Sequence, residues 1–120
     1  KKFFMIFDDK SPLSADGSSP ILKLDASEKR SHQYFVDPSG QLTVAMREPS
    51  DGRRALSPSS SYELAYLLAG HLEVSDDAGA HQVFGAGDAF LVPFGAATSW
   101  SSEAVRALCC TFTPRLSVVR

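Results

Sequence analysis

A chain of 120 residues is long enough for one domain with its own core, and its net charge of −2 and isoelectric point near 5.9 carry no basic excess to attract nucleic acid or an anionic membrane. No apolar run approaches the roughly 20 residues of a membrane-spanning helix, and no charged-then-apolar secretory segment is visible, so a cytoplasmic protein is expected, with neither nucleic acid nor membrane as a partner. Eight glycines and seven prolines supply turns in the number an all-β chain needs.

Residues 1–7 are rich in aromatic and branched side chains (Phe3, Phe4, Ile6, Phe7) and suit a strand or a docking arm. Residues 11–20 are a loop by composition, with serine, proline and glycine and one large apolar residue, Leu13. A short edge segment is expected over 21–24 and a solvated turn over 28–31. Residues 34–36 and 42–46 read as two strands of a hairpin around Asp37-Pro38-Ser39-Gly40, where proline sets φ and glycine can take positive φ.

Short apolar runs follow at 64–68, 72–74 and 90–92. They are punctuated by Gly70, by Asp76-Asp77-Ala78-Gly79, by Gly85-Ala86-Gly87-Asp88 and by Pro93-Phe94-Gly95. Strands and turns at this spacing predict an antiparallel β-barrel or sandwich. A four-residue turn over 76–79 places Val74 opposite His81 and His71 opposite Phe84, so alternation sends His71 and His81 to different faces. The glycine turn at 85–88 lacks the lysine and the following helix of a phosphate loop. Cys109 and Cys110 are strand neighbours that point to opposite faces, which predicts two reduced, largely buried thiols rather than a disulfide. One of them could act as a nucleophile, although buried cysteine usually behaves as a small hydrophobe. The chain leaves its last strand at Pro114.

Glu63, six residues and then Gly70 reproduce the tail of the first cupin motif, and Gly87, five residues and then Pro93-Phe94-Gly95 reproduce the head of the second. With Trp100 and Val105-Arg106 in register, the chain resembles the ethanolamine-utilisation EutQ-like cupins over residues 31–112. The resemblance implies an all-β, single-domain antiparallel jelly-roll (cupin) β-barrel over 31–113, preceded by an arm and loop over 1–30 and followed by a tail over 114–120. It also implies a homodimer with the arm crossing between subunits; the alternative is an arm that packs on its own barrel.

Metal-binding cupins carry two histidines just before the motif glutamate and a third where this chain has Thr98. Residues 57–61 (Ser57, Pro58, Ser59, Ser60, Ser61) offer no nitrogen ligand, so only Glu63 remains of the four, and neither metal nor other cofactor is expected. The missing histidines argue against the activity of metal-dependent relatives such as the ureidoglycine aminohydrolases. Ala45, Met46 and Arg47 also depart from the glycine and tryptophan usual at the end of the second strand, and the lysine usual after Arg106 is Ala107.

Alternation sends Ala65 and Leu67 to the side of Glu63, which by resemblance is the lumen, and Tyr62, Leu64 and Tyr66 to the other. There Glu63 is either a poised general acid or base, or a carboxylate held by Arg106, Arg47 or the Trp100 indole. Glu63, Thr98, Ser99, Trp100, Arg106 and Met46 are the candidate ligand-binding residues, and Glu63 the candidate catalytic one. Two functions follow: a metal-independent binder of a small polar or carboxylated metabolite, or a cofactor-free enzyme of isomerase, epimerase, cyclase or hydrolase type. A scaffold with a vestigial pocket is the third possibility.

Overall fold

Two long strands carry the architecture. In the computed structural model, which describes residues 28–115, β4 (Tyr62–Asp76) and β7 (Ala97–Phe112) pair antiparallel from Tyr62 opposite Phe112 to Asp76 opposite Thr98. The expected N-terminal arm, the 21–24 segment and most of the tail lie outside the described residues. No helix among the described residues is long and apolar enough to cross a membrane.

The remaining strands add to these two. They are β1 (Glu28–Val36), β2 (Leu42–Pro49), β3 (Gly52–Pro58), β5 (His81–Phe84) and β6 (Ala89–Val92). The β4–β7 ladder slips register between Leu67 and His71, at Gly70 with φ +86 and, across from it, Ala104 with φ +52. Bulges of this kind bend the strands that carry them. The Ala104 N–H donates to Asp51 Oδ1 at 2.8 Å, which fixes the bulge from the neighbouring loop. Asp51 also pairs with Lys29 at 3.3 Å, and these contacts, the Ala104 N–H first, hold its carboxyl below the usual carboxylate range.

Two walls result from the bend. In one, the first half of β7 pairs with β3 and the second half of β4 with β5; in the other, the second half of β7 pairs with β2, backed by β1, and the first half of β4 with β6. Ala65, Leu67, Leu72, Val105, Ala107 and Cys109 form the buried core between them, with Phe84, Phe90 and Trp100 packed against it. Leu67 is fully buried.

The closed barrel expected from the sequence is not what forms. Backbone pairing follows β1-β2-β7-β4-β5, with β3 added to β7 and β6 to β4, so β1, β3, β5 and β6 each have a single partner and the sheet stays open. The bend is the reason: β5 pairs with β4 beyond Gly70 and β6 with β4 before it, which leaves these two four-residue strands on different walls without a ladder between them. A ring stack of Phe84 on Phe90, centroids 4.4 Å apart, spans that seam instead.

Two local expectations also change. The solvated turn over 28–31 is the start of β1. Leu72 lies opposite Phe84 and Ser75 opposite His81, one residue from the expected register, because Asp76 Oδ1 accepts from the Ala78 and Ala80 N–H groups and tightens the loop. A one-residue shift exchanges faces, so His71 and His81 share the exposed outer face, where His81 Nδ1 lies 3.0 Å from Ser75 Oγ. The hairpin around residues 37–40 forms as expected. Ser39 Oγ donates to Asp37 Oδ2 at 2.6 Å and the Leu42 N–H to Oδ1 at 2.9 Å, and these bonds, the hydroxyl first, hold the Asp37 carboxyl below the usual carboxylate range.

Candidate ligand-binding site

The bend leaves a cavity of about 180 Å³ between the walls. Its floor is apolar, built by the inward residues of β4 and β7 (Ala65, Leu67, Val105, Ala107, Cys109) and by Leu72 beyond the bend. Phe90 and Trp100, centroids 5.7 Å apart, form an aromatic side. Glu63, Arg47 and Arg54 supply the charge. Glu63 enters because β4 alternates: Ala65 and Leu67, on its face, are buried, whereas Tyr62, Leu64 and Tyr66 are exposed on the other. Its carboxylate makes no hydrogen bond or ion pair among the described residues.

A second compartment of about 130 Å³ shares Glu63 and Trp100 with the first and adds Ser57, Ser59 and Thr98. Backbone bonds between Ser59 and the 93–96 turn (Ser59 N–H to Ala96 O, 3.0 Å; Gly95 N–H to Ser59 O, 2.8 Å) dock the serine-rich segment at this end. The Trp100 indole N–H donates to Thr98 Oγ1 at 2.8 Å, and Ser59 Oγ donates to the Ser61 carbonyl at 2.6 Å. Among the described residues, the lumen therefore has a hydroxyl-lined end and an apolar, arginine-bearing end, with one carboxylate between them.

Compared with known families, residues 36–106 match the EutQ-like cupin domain, more than half of the chain. The chain is a EutQ-like cupin. None of the curated proteins compared with this cupin matches it in sequence. Among solved structures it is similar to the Cnp3 cupin domain of Schizosaccharomyces pombe (21% identity, TM-score 0.59, 71% of this chain and 64% of that one). It is similar also to the EutQ protein of Clostridium difficile (18%, 0.56, 70% and 68%) and to KdgF from Halomonas sp. (15%, 0.64, 93% and 95%). At these identities the likeness shows the fold alone. The cupin spans just under two thirds of the Cnp3 domain.

Ser57, Ser59, Glu63 and Thr98 line one compartment. Their chemistry does not fit a transition metal, since one carboxylate and neutral hydroxyls replace the imidazoles such a site needs. No group of three or more histidine, cysteine, aspartate or glutamate side chains placed to hold a metal ion occurs among the described residues.

Of the residues nominated from sequence, Glu63, Thr98 and Trp100 meet in the lumen. Ser99, Met46 and Arg106 do not line it. Ser99 and Arg106 alternate with inward neighbours, and Arg106 donates to Glu48 Oε2 at 3.1 Å, in a cluster where Arg30 holds Oε1 at 2.7 Å. Met46 is buried to 1% exposure on the face away from the lumen, opposite Leu108 of β7. The indole does not hold Glu63, because its N–H is spent on Thr98. The sequence reading missed Arg54 and Phe90, and it gave Arg47 only as a possible partner of Glu63. Continuing the β2 alternation past Met46 turns Arg47 inward, and recognising β3 does the same for Arg54, opposite Trp100.

Proposed function

We propose that this cupin binds a small polar or carboxylated metabolite in the lumen without a metal ion. The observation that carries the reading is the Glu63 carboxylate, set in a mostly apolar cavity beside Trp100 with no partner among the described residues. Buried charge ordinarily finds a partner, and a bound ligand supplies one. Native mass spectrometry of the protein purified without chelators, followed by Trp100 fluorescence titration, tests this. A retained small mass or a saturable emission change supports it; protein that purifies empty and gives no response across a metabolite library refutes it.

The enzymatic alternative, with Glu63 as general acid or base, has less support. Among the described residues, those that line the lumen include no histidine, lysine or tyrosine to complete a proton relay, and Tyr62 and Tyr66 face outward. On any substrate identified, an unchanged rate for Glu63→Gln removes the residue from the mechanism.

The cupin acts as a homodimer in this reading. On the outer face of β4, β6 and β7 and the adjoining turn, Tyr62, Leu64, Tyr66, Leu91, Phe94 and Phe112 are each 40–56% exposed, with the Tyr62 ring 6.1 Å from Phe94 and 6.3 Å from Phe112. At roughly 100 Å² each, these six present about 600 Å², close to the ~800 Å² per partner of a stable interface. Light scattering at micromolar concentration should give a dimer that Leu64→Lys dissociates; a monomeric wild type overturns this assignment.

A further inference from the structure

Strand geometry assembles the hydroxyl-lined compartment. Ser57 of β3 stands directly across from Thr98 of β7, so their side chains share a face, and Trp100, two residues on, joins them. Glu63 enters from β4, where its backbone is held between Thr111 of β7 and Val92 of β6. These four side chains line one cavity of about 130 Å³, and among the described residues no cationic side chain lines it. Arg47 and Arg54 line the neighbouring compartment and are engaged by partners of their own, Arg54 by the Ser50 carbonyl at 3.2 Å among others.

The polar groups of this compartment are weighted towards acceptors. Thr98 Oγ1 accepts the Trp100 indole N–H at 2.8 Å, and Ser59 Oγ spends its own proton on the Ser61 carbonyl at 2.6 Å. A hydroxyl oxygen has two lone pairs, so Thr98 keeps one for a ligand, whereas an ionised carboxylate can only accept. Glu63 and Ser57 make no hydrogen bond or ion pair among the described residues. The indole that lines the same cavity adds the attraction of its ring face for a cation.

We infer that the ligand is a primary amine, bound as its ammonium ion. Its head lies in the hydroxyl-lined compartment, where three N–H donors meet Glu63, Thr98 and Ser57 beside the indole, and its apolar tail extends over Ala65 and Leu67 against Phe90. This deepens the binding reading above and rests on it. Hydrogen bonds from a cation to a carboxylate are about twice as strong as neutral ones. A positive head also supplies the counter-charge that a carboxylate in a mostly apolar cavity requires. The apolar compartment, at about 180 Å³, lies below the ~300 Å³ of the smallest drug-sized pockets, which restricts the tail to about one ring or its aliphatic equivalent.

Benzylamine, benzyl alcohol and phenylacetate carry the same ring and methylene with a cationic donor, a neutral donor and an anion. Calorimetry and Trp100 fluorescence at pH 7 should show benzylamine binding about 10-fold tighter than the alcohol, with phenylacetate weakest. Glu63→Gln keeps the side-chain shape, removes the charge and should bring amine and alcohol to equal affinity, with thermal melts verifying that the variant is folded. Equal affinity for amine and alcohol in the wild type, tighter binding of phenylacetate, or a preference that survives Glu63→Gln in a folded protein overturns the assignment while leaving small-molecule binding intact. Binding of none of the three at millimolar concentration also overturns it, and native mass spectrometry of the untreated protein then decides independently whether the lumen holds any ligand.

Discussion

A methyl group added at residue 70 meets two separate obstacles, and a second glycine allows them to be told apart. Gly70 has φ +86, and a Cβ there would lie 2.3 Å from the Ala104 carbonyl oxygen and 2.6 Å from that of Glu103, where 3.0 Å is the practical limit. The bulge opposite must retreat by at least 0.7 Å, the difference between 3.0 and 2.3 Å, although Asp51 holds the Ala104 N–H at 2.8 Å. Gly79 has nearly the same φ, +91, but nothing within 4 Å of its added Cβ. Gly79→Ala therefore measures the backbone term alone, about 1 kcal/mol. Gly70→Ala adds an overpacking term of roughly 2–3 kcal/mol. For a domain this size, each kcal/mol lowers Tm by about 4–8 °C, so the expected drops are roughly 5 °C for Gly79→Ala and 15–25 °C for Gly70→Ala. Urea unfolding followed by Trp100 emission reads both variants. Values within about 0.5 kcal/mol of each other would show that the bulge yields freely and that close contact at Gly70 does not set the bend.

Because Asp37 and Asp51 have lowered folded-state values, the stability they contribute is present above the ordinary carboxyl value of 3.8 and is lost as pH falls through the lowered ones. Thermal melts between about pH 5 and 2 should show a shallower acid decline for Asp37→Asn and Asp51→Asn than for the wild type; parallel curves would contradict this. Phe90→Ala removes ring contacts with both Phe84 and Trp100 and should cost about 2–4 kcal/mol with a red shift of Trp100 emission. An unshifted spectrum would place the indole in a different environment. Glu48→Gln weakens the contacts to Arg30 and Arg106 and should cost about 1–2 kcal/mol while leaving ligand affinity unchanged; a loss of affinity would return Arg106 to the site.

The sequence showed most clearly what depends on local chemistry. The turns at 37–40 and 93–95 and the alternation of β4 around Glu63 follow from glycine, proline and period-two patterning, whereas only its register with the family's tryptophan singles out Trp100. Longer-range relations were harder to read. The register of the 76–80 loop depends on Asp76 capping two amides, a bond no alternation rule contains, and the error of one residue put the two histidines on the wrong relative faces. β3 has little apolar patterning of its own, since most of its residues are exposed and its support comes from β7, so Arg54 was not visible as a lumen residue. Arg106 sits beside a family-like valine, but Glu48, a strand away, decides where its guanidinium goes. Openness was hidden most deeply, because it arises from where the bend falls in β4 relative to two short strands.

That openness changes what can specify the size of the lumen. In a closed barrel, strand number and shear fix the diameter, and side chains fill whatever the backbone dictates. Here the seam between β5 and β6 is spanned by the Phe84–Phe90 stack, with a groove of about 290 Å³ alongside it. A smaller residue at 84 or 90 would enlarge the chamber without breaking a single ladder bond. Ligand range in this scaffold can thus diverge by single substitutions at an aromatic latch, while the walls and the charged groups on them stay where they are.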